Sequence, residues 1–234
     1  MSLLKNTLGD IVRDDFRTAA LFTQHDIDFC CGGKETLESV VQRMNLDENT
    51  IVNQIEVLKE EPIPFSHDFK SWEPIFLMDY IVQVHHAFVR KNLPSLLLYT
   101  HKIAEVHGEN HPELKEVATL FSAIAQEMTA HLQREEEVVF PAIRSLFSEG
   151  GSPEADFWQN ELDAMHEEHE WVGANTDHLK VLTNKYALPS DACPTYQTTM
   201  NLLQSFEEDL HIHVHLENNI LFPKVEARLK KLSV

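Results

Sequence analysis

Two eleven-residue stretches of this chain can be laid on each other, and that match constrains the fold more than any other feature. Residues 131–141 read His-Leu-Gln-Arg-Glu-Glu-Glu-Val-Val-Phe-Pro, and residues 213–223 read His-Val-His-Leu-Glu-Asn-Asn-Ile-Leu-Phe-Pro. His131/His213, Glu135/Glu217, Phe140/Phe222 and Pro141/Pro223 coincide at a single offset of 82 residues, with two aliphatic positions between them matched in type. Self-similarity at a fixed offset signals duplicated supersecondary structure, here one helical hairpin used twice. In each copy histidine and glutamate stand four apart, which on a helix stacks them on one face with Cβ atoms about 5–6 Å apart. An imidazole nitrogen and a carboxylate oxygen can then meet at one cation. A carboxylate can also bridge two cations, which a neutral imidazole does not normally do. Two glutamates arriving from two helices would clamp a pair at about 3.5–4 Å spacing.

A duplicated hairpin should offer a ligand on its other helix as well. His86 lies 45 residues before His131, and His169 lies 44 before His213, both in mid-helix surroundings. The candidate metal set is therefore His86, His131, Glu135, His169, His213 and Glu217. Either His/Glu pair alone would read as a surface ion pair; recurrence in register ahead of Phe-Pro favours the metal. His85, His107, His111, His166, His211 and His215 read as solvent-facing or ligand-orienting groups. His25, His67, His101 and His178 receive no role. Mixed imidazole and carboxylate ligation suits iron, manganese or zinc, and spacing alone does not choose among them.

The rest of the chain supports an all-α fold. Helical periodicity gives four long stretches, 73–107, 112–147, 153–186 and 194–231, with breaks at Gly108 to Pro112, Glu149 to Pro153 and Leu188 to Pro194. Short connections between such helices imply an antiparallel up-and-down four-helix bundle. Pro94 is expected to kink or interrupt the first stretch. Upstream, one helix is expected over Asp10 to Gln24, then a Gly-Gly loop at 32–33, then helices over Lys34 to Met44 and Asp47 to Leu58, the last capped by Asp47. Glu61-Pro62-Ile63-Pro64-Phe65 reads as a linker. The expected division is a small helical domain over 1–62 and a bundle over 72–234, which 234 residues comfortably supply.

With 38 acids against 19 bases the formal charge is −19, which argues against nucleic acid and anionic lipid as partners. No run of some 18 apolar residues predicts a membrane span. The start lacks the apolar core of a secretory signal, and three cysteines (Cys30, Cys31, Cys193) make no disulfide framework, so a reducing cytoplasm is expected.

The duplicated His-x3-Glu-x4-Phe-Pro with two further helix-borne histidines resembles the hemerythrin-like domain. Leu216-Glu217-Asn218-Asn219-Ile220-Leu221-Phe222-Pro223 is especially similar to the Repair of Iron Centers (RIC) family. Asp26-Ile27-Asp28-Phe29-Cys30-Cys31-Gly32-Gly33 resembles the signature of the small domain that precedes the bundle there, so the resemblance covers nearly the whole chain. It implies an oxo-bridged pair of non-heme iron ions held by His86, His131, His169 and His213, with Glu135 and Glu217 bridging. His107 matches a further family histidine whose ligand status stays open. His86 is preferred over His85 from its distance to Arg90 and Leu93-Pro94, while His211 and His215 could compete with His213.

Adjacent cysteines are poor disulfide partners for each other. Lys34 and a helix start nearby are expected to lower a thiol pKa at Cys30 or Cys31. Two small hydrophobes in a capping turn are the plain alternative; with the resemblance, both are functional thiols that engage iron, nitric oxide or a client cluster. Cys193 is expected to be incidental. The resemblance implies an iron donor that repairs iron–sulfur clusters damaged by nitric oxide or peroxide. Its implied partners are damaged iron–sulfur proteins, nitric oxide or dioxygen as small ligands, and a second copy of the chain in a homodimer. The alternatives are a nitric oxide reductase at the di-iron site and a hemerythrin-like sensor or carrier of dioxygen or nitric oxide.

Overall fold

The computed structural model describes residues 3–148 and 155–232. The expected break from Glu149 to Pro153 lies outside the described residues. Within them every regular element is helical, and the one extended pairing is an isolated antiparallel bridge between Thr7 and Thr36. The long stretches run over 74–107, 113–148, 155–182 and 194–232. Three of the four contain one π-helical turn: Ile81–His86, Glu135–Val139 and Glu217–Leu221. The last two are themselves 82 residues apart, so the repeat extends from the side chains to the backbone irregularity.

The chain forms two compact units, residues 1–78 with 211–234, and residues 79–210. The first contains α1 (Leu8–Asp14), α2 (Thr18–Gln24), α3 (Leu37–Arg43), α4 (Glu48–Lys59), most of α5 (Pro74–Tyr80) and α11 (Phe222–Leu232). Thr7 and Thr36 cap α1 and α3 by accepting from Asp10 N and Ser39 N, and Asp47 caps α4 through Thr50 N as the sequence predicted. Leu8 N donates to Glu35 O and Leu37 N to Asn6 O, which ties the first two caps side by side. The single helix expected over 10–24 is instead two. Asp15 is extended (φ −149°, ψ 99°), and its carboxylate accepts from Arg17 N at 3.1 Å and from the Arg17 guanidinium at 2.9 and 2.7 Å. A side chain that satisfies backbone donors locally competes with helix continuation. Arg17 also donates to Leu58 O, fastening the end of α4. Leu8, Val12, Phe22, Phe29, Leu37 and Ile55 form the centre of this unit's core, each contributing about 1.5–3 kcal/mol by burial.

The second unit contains α6 (Ala87–His107), α7 (Glu113–Arg134), α8 (Phe140–Ser148), α9 (Ala155–Leu182) and most of α10 (Pro194–Leu216), whose last turn, from His211, belongs to the first unit. Helix α7 packs on α6 and on α9. Its buried stripe runs Leu114, Val117, Phe121, Ile124, Met128, His131, so the histidine occupies a position that periodicity would assign to a hydrophobe. Pro94 does not interrupt its helix: α6 passes through it, the missing N–H bond being offset by burial of Leu93 and Leu96. No helix among the described residues is long and apolar enough to cross a membrane.

Candidate metal centre

In the second unit three imidazoles surround one carboxylate. Glu135 is 0% exposed; its Oε2 lies 3.2 Å from His86 Nε2 and 3.5 Å from His131 Nε2, and His131 Nε2 lies 3.2 Å from His169 Nε2. His86 arrives from the end of a π-helical turn and stacks on Phe140, at 5.6 Å between centroids. His131 and Glu135 share the α7 face, as the i, i+4 spacing requires, and Glu135 opens the second π-helical turn. His169 projects from the regular helix α9. The other nitrogen of two of these rings is fixed by an acid. Glu136 sits 2.7 Å from His86 Nδ1 and Glu168 sits 2.7 Å from His131 Nδ1. Each acid is held in turn by an arginine, Arg90 on Glu136 at 2.7 Å and Arg134 on Glu168 at 2.9 Å. Burial pushes both carboxyls up, but the histidine and arginine contacts win and hold each below the usual glutamate range.

The donor set fits a cation. A ring that donates Nδ1–H to a carboxylate turns the Nε2 lone pair the other way. His86 Nε2 then faces Glu135 Oε2, acceptor to acceptor, a contact relieved by a proton or a cation between them. His131 Nε2 faces His169 Nε2 under the same constraint. In the first unit His213 Nε2 lies 3.0 Å from Glu217 Oε1 with both side chains fully buried, repeating the His131/Glu135 pairing.

The remaining histidines have other partners. His85 Nδ1 bonds Asp209 at 3.0 Å and its ring packs on Tyr80, so of the adjacent pair it is His86 that reaches Glu135. His215 packs between Phe16 and Phe29 and bonds Asn219 at 3.2 Å, away from the His213–Glu217 contact; burial pushes its imidazole down to about 3. His211 lies against Phe29, and His166 bonds Leu162 O. His107 sits 3.2 Å from Cys193 Sγ, and His111 bonds Asp191 at 2.9 Å. Sequence reasoning missed the Glu136–Arg90 and Glu168–Arg134 props. Arg90 and Arg134 lie four and three residues after a candidate histidine, a signal visible in the sequence once the histidines are chosen.

The cysteine loop differs from expectation. Cys30 is buried, and its thiol pKa is raised, not lowered, by its contact with Cys31, by burial and by the adjacent Asp28 carboxylate. Lys34 is exposed, and the helical turn that begins within the pair, Cys31–Lys34, is a 3-10 turn of only four residues, so neither offsets these effects at Cys30. Phe29, directly before the pair, accepts from Asn219 Nδ2 at 3.3 Å. Asn219 enters here because Gly9 and Gly33 have no side chains: a Cβ would lie 2.3 Å and 2.8 Å from Asn219 Oδ1.

A helical chain with buried, paired His and Glu clusters is what a hemerythrin-type cation-binding domain displays, and the hemerythrin HHE cation binding domain matches residues 77–225. A second family, ScdA_N, a domain of unknown function, matches residues 4–59. The chain is 35% identical over 228 residues to the iron-sulfur cluster repair protein YtfE of Yersinia pestis (strain Pestoides F), covering 96% of this chain and 98% of that one. The same values hold for the protein of that name from Yersinia pseudotuberculosis serotype O:1b (strain IP 31758). The chain therefore belongs to this family, hemerythrin-like proteins that carry an amino-terminal ScdA_N domain.

Proposed function

We propose that the chain holds two iron ions among His86, His131, Glu135, His169, His213 and Glu217, and repairs iron–sulfur clusters damaged by nitrosative or oxidative stress by supplying iron. The observation that carries the reading is that His86 and His131 each set Nε2 against the fully buried Glu135 while Nδ1 meets Glu136 or Glu168. The second unit offers three imidazoles and a carboxylate; the first offers His213 and Glu217, one of each. Glu135 and Glu217 would be the shared carboxylates, and the four histidines would supply two to each iron. The bound pair supplies exchangeable iron and open positions for nitric oxide or dioxygen. The protein's own contribution is to keep the rings aimed. Glu136 and Glu168 hold Nδ1 protons outward, and Phe140 blocks rotation of the His86 ring.

Cys30 and Cys31 dock or mobilise the iron in this reading. Support comes from the continuous contact Phe29–Asn219, which joins the cysteine loop to the turn that begins at Glu217. The reading places the protein in a reducing cytoplasm, where both thiols persist, with damaged iron–sulfur proteins as partners. Functionally the chain divides at the 63–71 connection, with 1–62 carrying the thiols and 72–234 the iron.

The test is to incubate a nitric-oxide-damaged [4Fe–4S] enzyme with iron-loaded protein. Reactivation should exceed that given by an equal amount of ferrous salt, and Glu135→Ala should reduce it to the salt level. Metal analysis after anaerobic purification should find two irons per chain. Zinc, fewer than two metals, or reactivation no better than the salt would overturn the reading. Catalytic consumption of nitric oxide with a reductant, without repair, would assign the site to nitric oxide reduction instead.

A further inference from the structure

The loop Asp28 to Gly32 brings together groups whose arrangement the bundle chemistry leaves unexplained. Asp28 Oδ1 accepts from Cys30 N at 2.9 Å and Cys31 N at 3.1 Å, and Oδ2 accepts from Gly32 N at 2.7 Å. A Cβ on Gly32 would lie 3.0 Å from Oδ2, so a larger residue there would press on this close wrap. These bonds account for the turn. They do not account for the sulfurs: Cys30 Sγ donates to Asp28 Oδ1 at 3.1 Å and stands 3.9 Å from Cys31 Sγ. The carboxylate oxygen and both sulfurs lie within 4.8 Å of one another.

That triangle has the dimensions of a tetrahedral metal face. Two thiolates at about 2.3 Å from a four-coordinate ion stand about 3.8 Å apart, and a thiolate and a carboxylate oxygen at about 2.0 Å stand about 3.5 Å apart. The sulfur pair is thus already at the required separation. The Cys30–Asp28 edge must open by roughly 0.4 Å, the change expected when an ion replaces the bridging thiol proton. Three backbone N–H groups hold the carboxylate in place, so it is preorganised for that exchange. Cys30 is buried and Cys31 partly exposed, which leaves the fourth position toward solvent.

We infer that Asp28, Cys30 and Cys31 form a second, separate cation site, which takes one divalent ion of borderline softness such as ferrous iron or zinc. Two thiolates suit such an ion, and the hard carboxylate disfavours cuprous copper, which sulfur alone satisfies. On binding, each thiol gives its proton to buffer, two sulfur–metal bonds and one oxygen–metal bond form, and no electron is transferred. The site carries charge −1 with the ion in place, and its fourth position is open to water or to a client's thiolate. The inference is built from this loop alone and stands whether or not the bundle holds iron.

Cadmium serves as the probe, added to full-length iron-loaded protein carrying Cys193→Ser so that only the pair can supply thiolate. One cadmium should bind per chain with a sulfur-to-metal charge-transfer band, and X-ray absorption should count two sulfur neighbours. Two protons should appear in weakly buffered solution per ion bound. Cys31→Ser should halve the sulfur count and weaken binding at least tenfold, and zinc should displace the cadmium. Iron content measured on the same samples reports the bundle independently. Cadmium bound through oxygen and nitrogen only, or a sulfur count unchanged by Cys31→Ser, would overturn the site.

Discussion

Replacing Glu168 tests whether the carboxylates behind the ligand rings control how tightly iron is held. Glu168 Oε2 meets His131 Nδ1 at 2.7 Å, and Oε1 meets Arg134 at 2.9 Å. Glutamine keeps the shape and one acceptor but removes the charge. A hydrogen bond to a charged group is worth about 1.5–3 kcal/mol against about 0.5–1.5 for a neutral one. Glu168→Gln should therefore cost about 1 kcal/mol of metal affinity, a five- to tenfold loss. Glu168→Ala removes the acceptor altogether, and His131 is then free to rotate or change tautomer. Loss of such a support typically costs 10–100-fold in affinity, about 1.4–2.7 kcal/mol. The assay is anaerobic titration of iron-loaded protein with a graded series of chelators, reading the chelator strength at half loss, with circular dichroism confirming the fold. Glu161→Gln is the control, because Glu161 reaches Arg134 at 2.9 Å rather than a ligand ring, and it should leave retention near wild type. If Glu168→Ala holds iron as tightly as wild type, or Glu161→Gln loosens it equally, the reasoning fails.

Three further outcomes follow from the same coordinates. Gly9→Ala would push a Cβ against Asn219 Oδ1, costing about 1–3 kcal/mol and lowering the melting temperature by about 2–10 °C. Asn219→Ala in the same chain should recover much of that loss, and strictly additive melting shifts would refute the contact. His215 binds a proton near pH 6.5 when unfolded but not when folded, so falling pH favours the unfolded chain. In the metal-free protein, stability should drop below pH 6.5 by at most about 1.4 kcal/mol per unit, continuing toward about 3. Urea midpoints at pH 7 and 5 should fall further in wild type than in His215→Gln; equal falls would rule this out. Arg17→Ala should free both Asp15 and the end of α4, lowering the unfolding midpoint, whereas Arg13→Ala, at an exposed pair with Asp10, should not. A like effect of both would deny Arg17 its bridging role.

The long helices were legible because glycine and proline clusters interrupt an otherwise steady 3.6-residue period; most described ends moved by one residue, but the third helix stops at Leu182, four residues before the expected 186. The His/Glu repeat was legible because a ligand on a helix must recur at i, i+4 to face the same point. What escaped was what depends on which side-chain contacts form, near or far along the chain. The split of α1 from α2 rests on Asp15 finding Arg17 and on Arg17 finding Leu58, 41 residues away. Pro94 was expected to kink or interrupt its helix, and α6 runs through it. The thiol expectation went astray because Lys34 is near in sequence but points to solvent, while Asp28, two residues upstream, curls back onto Cys30. His86 is preferred over His85 from its distance to Arg90 and Leu93-Pro94, and it is His86 that reaches Glu135.

Those π-helical turns bear on how the family can change by insertion and deletion. Each residue turns a helix by about 100°, so one extra residue in a turn puts everything after it out of phase with everything before. At Glu135–Val139 the segment before the turn delivers His131, while the segment after it directs Phe140, Ile143 and Leu146 into its own core. A one-residue deletion between Glu136 and Val138 would give a more regular helix and leave both halves intact. It would nonetheless rotate one against the other, so that either the ligands or the hydrophobes point outward. The length of the chain at these three places is thus under tighter restraint than the identity of most residues within them.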